Sequence, residues 1–340
     1  MIQYIAMVAK KKSKARIIVP IAVVAALVVV WQVVANLTGF LSGQWFSDRI
    51  TVAVYQPSAL VADLADGSGM NDDGKFYFYT GVPQIDDRDD FNVDCADAMN
   101  EESIVLGCYD GNIYLFDVTD ERISGVKYVT AAHEMLHAAY DRLGPIEKNR
   151  VDNLLADQLD ATTDQRILDL VEIYDTTEPG YRLNELHSIF GTEVRDLSPE
   201  LSTYYVRYFD DRDRVVAASE KYEAVFEQME RQANDLDAQM ASLEAEITSL
   251  SDGYDARVAQ LSRDIDSFNA RASTYGGFAS ESVFYAQRNA LIARQNQLNA
   301  EADTINAKID TYNQCVADLQ ALGREAEKLQ HSIDSRSLLE

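Results

Sequence analysis

With 340 residues, 47% of them hydrophobic, the chain is long enough to bury at least one core and is not a disordered tract. Its formal net charge of -26 and pI near 4.4 exclude nucleic acids and argue against anionic lipid surfaces as partners, because the summed field repels phosphates.

The positive charge is concentrated at the start, where Lys10, Lys11, Lys12, Lys14 and Arg16 precede an uncharged, Val/Ala/Leu-rich stretch from Ile17 to Leu37. As a helix that stretch is long enough to cross a hydrocarbon core of roughly 30 Å, and Pro20 is tolerated in its first turn. Basic residues before it and Asp48 as the first acid after it predict a cytoplasmic N-terminus and an extracytoplasmic remainder. A cleaved signal peptide is the alternative; the length of the apolar run and the absence of a small-x-small site after Val34 favour an anchor. The sequence thus predicts a single-pass cell-membrane protein: a basic tail over 1–16 and a transmembrane signal anchor over 17–37, through which the chain would meet the membrane.

Beyond the anchor, Ile50-Thr51-Val52-Ala53-Val54-Tyr55 alternates like a strand, and Lys75-Phe76-Tyr77-Phe78-Tyr79 reads as a short aromatic strand. Between and after them lies a Gly/Asp/Asn-rich region, Asp66 to Asp94. Its Asn71-Asp72-Asp73-Gly74 lacks the twelve-residue calcium loop and its closing Glu, so a solvated loop is expected. Two apolar runs, 103–108 and 112–117, flank Tyr109-Asp110-Gly111 and predict a hairpin. Of three cysteines, Cys95 and Cys108 form the natural disulfide pair, contributing on the order of 3 kcal/mol. Cys315 is expected as a buried thiol, with an interchain bridge as the alternative.

Helices are predicted from Val126 to Leu143, stopped by Gly144-Pro145, and then over 146–159, 164–174 and 181–192. From about Asp211 apolar residues recur at spacings of three and four, from Tyr222 to Phe268. After Gly276-Gly277 they recur at sevens, from Phe284 to Leu319. Two helices joined by a Gly-Gly turn predict an antiparallel coiled-coil hairpin over 211–335, a surface for self-association or for a partner protein.

The chemistry-bearing pattern is His133-Glu134-Met135-Leu136-His137. On a helix the two histidines lie one turn apart on one face, so their imidazoles can meet one zinc at ~2.0 Å. Glu134 adjoins the first of them and can serve as the general base toward a water acidified by the metal. With four histidines in the chain, a chance occurrence is expected roughly once in several hundred such sequences.

This pattern, following a hairpin and preceding further helices, resembles the zincin metallopeptidases over roughly residues 100–205. The resemblance implies an α+β zincin-like domain (45–208), with the anchor before it and the hairpin after it. It implies Zn2+ as cofactor and a peptide or protein as substrate, so the chain is expected to be a zinc-dependent metallopeptidase, with an envelope scaffold acting through its coiled coil as the alternative. A third ligand six residues past His137, as in metzincins, is absent because position 143 is Leu. The segment Tyr181 to Ser188 offers Glu185 and His187, which point about 200° apart on a helix. Glu185 shares a polar face with Tyr181, Ser188 and Thr192 and matches the gluzincin branch, so it is preferred over His187. Position 189 is Ile where many gluzincins carry an acid, which leaves Glu193 as a candidate support for the ligands. His187, Tyr204, Tyr205 and Arg207 are candidates for supporting the ligands or the oxyanion. His331 is expected at the surface.

Overall fold

The computed structural model describes residues 27–34, 43–96, 105–177 and 180–335. Among these the chain is mostly helical, with only three short strands, which overturns the expected α+β architecture. The elements are α1 (Gly43–Val54), α2 (Ala59–Gly67), α3 (Asp72–Thr80), β1 (Gln84–Asp86), α4 (Arg88–Asp94), β2 (Gly107–Tyr109), β3 (Ile113–Phe116), α5 (Val126–Asp141), α6 (Pro145–Ala161), α7 (Gln165–Thr177), α8 (Arg182–Thr192), α9 (Pro199–Tyr205), α10 (Arg212–Ala272) and α11 (Glu281–Ile333).

The expected transmembrane span is also corrected. Among the described residues no helix is long and apolar enough to cross a membrane, so neither that span nor the single-pass cell-membrane location is supported. Of the stretch 17–37, residues 27–34 are helical and the remainder lies outside the described residues.

Two expected strands are helices. In α1, Ile50 and Val54 face outward, 65% and 72% exposed, so the apolar alternation does not mark a buried sheet face. The other face of α1 carries Asp48, which meets Arg142 at 2.9 Å in an ion pair buried at both ends. The aromatic segment is α3: Asn71 caps its N-terminus by accepting from the Gly74 amide, Asp72 and Asp73 fill the first turn, and Phe78 is fully buried. A helix cap, not a calcium loop, explains the Asn-Asp-Asp run.

The hairpin forms as expected. The three strands lie in the order β1-β3-β2, with β1 parallel to β3 and β2 antiparallel to it, leaving β2 at an edge. Gly111 takes φ +111°, a conformation only glycine adopts without strain, and turns the chain between β2 and β3. A Cys95–Cys108 disulfide ties β2 to the end of α4.

α5 is the central helix of this unit. Its small residues Ala131, Ala132, Ala138 and Ala139 are buried with Met135 and Leu136, letting α2, α3, α8 and the hairpin approach closely. Arg142 closes its C-terminus: besides the Asp48 pair, its guanidinium donates to the Ala138 carbonyl at 2.9 Å and the Tyr109 hydroxyl at 2.7 Å. One residue thus fixes the motif helix to both α1 and β2.

The described residues divide into two compact units, one ending at Glu223 and including Ser332–Ser335, the other from Ala224 to His331. The division falls within α10, beyond the expected change of character at 208–211. The second unit is the antiparallel hairpin. Arg257 pairs with Glu301, Lys308 with Glu246 and Arg294 with Asp264, so one helix descends as the other rises. Leu261, Leu298, Ile305 and the free thiol of Cys315 are buried. Phe268, Phe278 and Phe284 stack with ring centroids 5.2 Å apart beside the turn at Gly276-Gly277. His331 is exposed.

Candidate metal centre

α5 presents His133 and His137 one turn apart, their ring centroids separated by 4.7 Å. α8 packs across α5 through Leu186, Ile189 and Phe190, all buried, and Ser188 donates its hydroxyl to the His133 carbonyl at 3.1 Å. This docking carries Glu185 to the imidazoles. Its Oε2 lies 3.4 Å from His133 Nε2, and its Oε1 lies 3.4 Å from His137 Nε2.

Ligand atoms of His133, His137 and Glu185 all fall within 4.8 Å of one another, so the group can hold a metal ion. Bonds of about 2.0–2.1 Å in a tetrahedral site place two ligand atoms roughly 3.3–3.4 Å apart, which is the imidazole–carboxylate spacing found here. The donor set of two nitrogens and a carboxylate therefore fits an ion such as zinc. Burial alone would raise the Glu185 carboxyl, but the neighbouring imidazoles of His137 and His133, with hydrogen bonds from His133 and Tyr174, hold it down at about 2. The carboxylate is ionised.

Glu134 is buried, 4% exposed, on the turn of α5 that faces β2. Gly107 passes directly over it: a Cβ at that position would stand 2.6 Å from Glu134 Oε1 and from Thr130 Cγ2. Glycine is required for this approach of strand to carboxylate.

The other candidates lie elsewhere. His187 is fully buried behind α5 and is not part of the three-residue group. Its Nε2 meets the Tyr204 hydroxyl at 2.8 Å, that hydroxyl meets Tyr208 Oη at 2.8 Å, and Tyr205 donates to the His187 carbonyl at 2.7 Å. Burial, reinforced by the nearby His137, pushes the His187 pKa down to about 3, so the ring stays neutral. These residues brace α8 against α5 and α9. Arg207 lies over the Tyr208 ring and reaches the Tyr77 hydroxyl at 3.4 Å.

Sequence reading did not single out Tyr174, Arg166 or Gly107. Tyr174 hydrogen-bonds Glu185, and Arg166 grips Glu193 at 2.6 Å. Neither lies at ligand spacing in the chain, so only tertiary packing brings them in. Gly107 carried a faint signal, as a glycine inside an apolar strand run.

No protein-family model, curated protein or solved structure matches the chain.

Proposed function

We propose that the chain is a zinc-dependent peptidase of the His-Glu-x-x-His type with a gluzincin-like ligand set of His133, His137 and Glu185. The reading is carried by one observation: two imidazoles one helical turn apart share a carboxylate from a second helix, beside a buried glutamate. When bound, zinc supplies Lewis acidity that polarises a carbonyl and acidifies water. Glu134 acts as general base, taking a proton from the attacking water and delivering it to the departing amine. The edge strand β2, with one hydrogen-bonding side unpaired by β3, aligns an extended peptide alongside Glu134.

The test is incubation of the zinc-loaded protein with a mixed peptide library, cleavage being read by mass spectrometry against Glu134→Gln. New termini from the parent and a loss of at least about a hundredfold in the variant are expected. Equal cleavage by both proteins would refute the role of Glu134.

A second reading, an assembly role for the hairpin, is favoured by its forming a compact unit of its own. Sedimentation of the full chain against Ile292→Asp/Ile309→Asp, at two exposed apolar positions of the hairpin, distinguishes the two: loss of a higher-order species with zinc-dependent turnover absent supports assembly.

A further inference from the structure

We propose that Glu193, gripped by Arg166, is the positioning residue for His133. The inference rests on the metal-site reading above. Glu193 stands at the C-terminal cap of α8, two turns beyond Glu185 on the same helix. Its two oxygens are divided between two tasks. Oε2 takes a hydrogen bond from Arg166 Nη1 at 2.6 Å, and Oε1 lies 4.0 Å from His133 Nδ1. The opposite ring nitrogen, Nε2, faces Glu185 at 3.4 Å. The His133 imidazole therefore lies between two carboxylates, one on each side.

The consequence is electrostatic. With a metal ion taking the Nε2 lone pair, the ring proton would sit on Nδ1, where the negative charge of Glu193 stabilises it and makes Nε2 a stronger donor. At 4.0 Å the influence acts through charge, and a small turn of the ring converts it into a hydrogen bond. Arg166 keeps Glu193 in place: its Nη2 reaches Glu223 at 3.3 Å, so the guanidinium sits between two carboxylates and resists a swing of either. Glu223 is on α10, so the support of His133 is anchored on a third helix in addition to α7 and α8.

The two histidines differ in this respect. His137 Nδ1 is buried with no hydrogen-bond partner among the described residues. His133 is thus the ligand whose orientation the protein sets through an outer carboxylate, and His137 is held by packing within α5.

The experiment is a chelator-competition titration of the full-length protein with Zn2+, accompanied by the visible spectrum of the Co2+ form. Parent, Glu193→Gln, Glu193→Asp, Arg166→Gln and His137→Ala are compared, with thermal melts of each metal-free protein. Glu193→Gln is expected to bind Zn2+ about 10- to 100-fold more weakly and to shift the Co2+ bands while melting like the parent. Glu193→Asp is expected to recover part of the affinity, and Arg166→Gln to lose less than Glu193→Gln. Parental affinity and spectrum in Glu193→Gln would overturn the proposal, and where that variant is unfolded, parental affinity in Arg166→Gln and Glu193→Asp does so. A parent that binds metal and a His137→Ala that does not leave the site reading standing in that case; a parent that binds none removes both.

Discussion

Gly107 lies so close over Glu134 that a single added methyl would fall 2.6 Å from the carboxylate oxygen. Gly107→Ala must therefore displace either β2 or the side chains of Glu134 and Thr130 together. It is expected to destabilise the fold by about 1–3 kcal/mol and, on the proposed role of Glu134 as base, to reduce peptide turnover by about a hundredfold or more through its misplacement. Urea melts and steady-state rates check the two effects separately. Parental values for both would show the contact to be slack.

Tyr204→Phe leaves the Nε2 of His187 facing no hydroxyl, in a place that water does not reach. Loss of a buried hydrogen bond of this kind costs about 1–3 kcal/mol. Because His187 stands outside the ligand group, zinc stoichiometry is expected to stay at the parental level while stability falls. Zinc loss at full stability would reverse the assignment and give His187 a place at the metal.

Asp86 supplies a pH signature. Burial, with Asp94, Asp90 and Asp87 nearby, raises its carboxyl from 3.8 to about 6, and its Oδ2 is buried without a hydrogen-bond partner among the described residues. In this interval the folded state binds more protons at Asp86 than the unfolded state does, so this group weakens the fold as pH rises from about 4 to about 6. Asp86→Asn is expected to remove that slope and to raise stability at pH 7 by about 1 kcal/mol, less than the full shift implies because solvent screens part of it. At pH 4 variant and parent should melt alike. A variant less stable than the parent at pH 7 would show that the carboxylate is favourably placed.

Cys108→Ser frees β2 from α4. The expected cost is about 2–4 kcal/mol by thermal or denaturant melting, with zinc binding retained because no ligand lies on either strand of the hairpin. Equal stability with and without the bridge would mean that packing alone holds β2.

These outcomes depend unevenly on what the sequence reveals. His133 and His137 are legible because four-residue spacing on a helix dictates a shared face, and Glu185 because it shares a polar helix face with Tyr181, Ser188 and Thr192 and matches the ligand position that the gluzincin resemblance implies. The hairpin was legible in Asp110-Gly111, and the long helices in the recurring apolar residues from Tyr222 to Leu319. The segments at Ile50–Tyr55 and Lys75–Tyr79 misled because alternating or aromatic residues resemble a strand. Their real determinants are a cap at Asn71 and an ion pair between Asp48 and Arg142, 94 residues apart. The expected membrane span lies mostly outside the described residues, and among those described no helix is long and apolar enough to cross a membrane. Arg166, Glu193 and Glu223 meet only after α7, α8 and α10 have packed, and no local pattern announces such a meeting.

The most direct test of the central claim is the zinc content of the purified full-length protein by elemental analysis, beside His137→Ala and Glu185→Ala. About one zinc per chain in the parent, none in His137→Ala and sharply less in Glu185→Ala is the expected result. A parent without zinc under metal-replete conditions, or variants that retain it in full, would contradict a metal centre built on His133, His137 and Glu185.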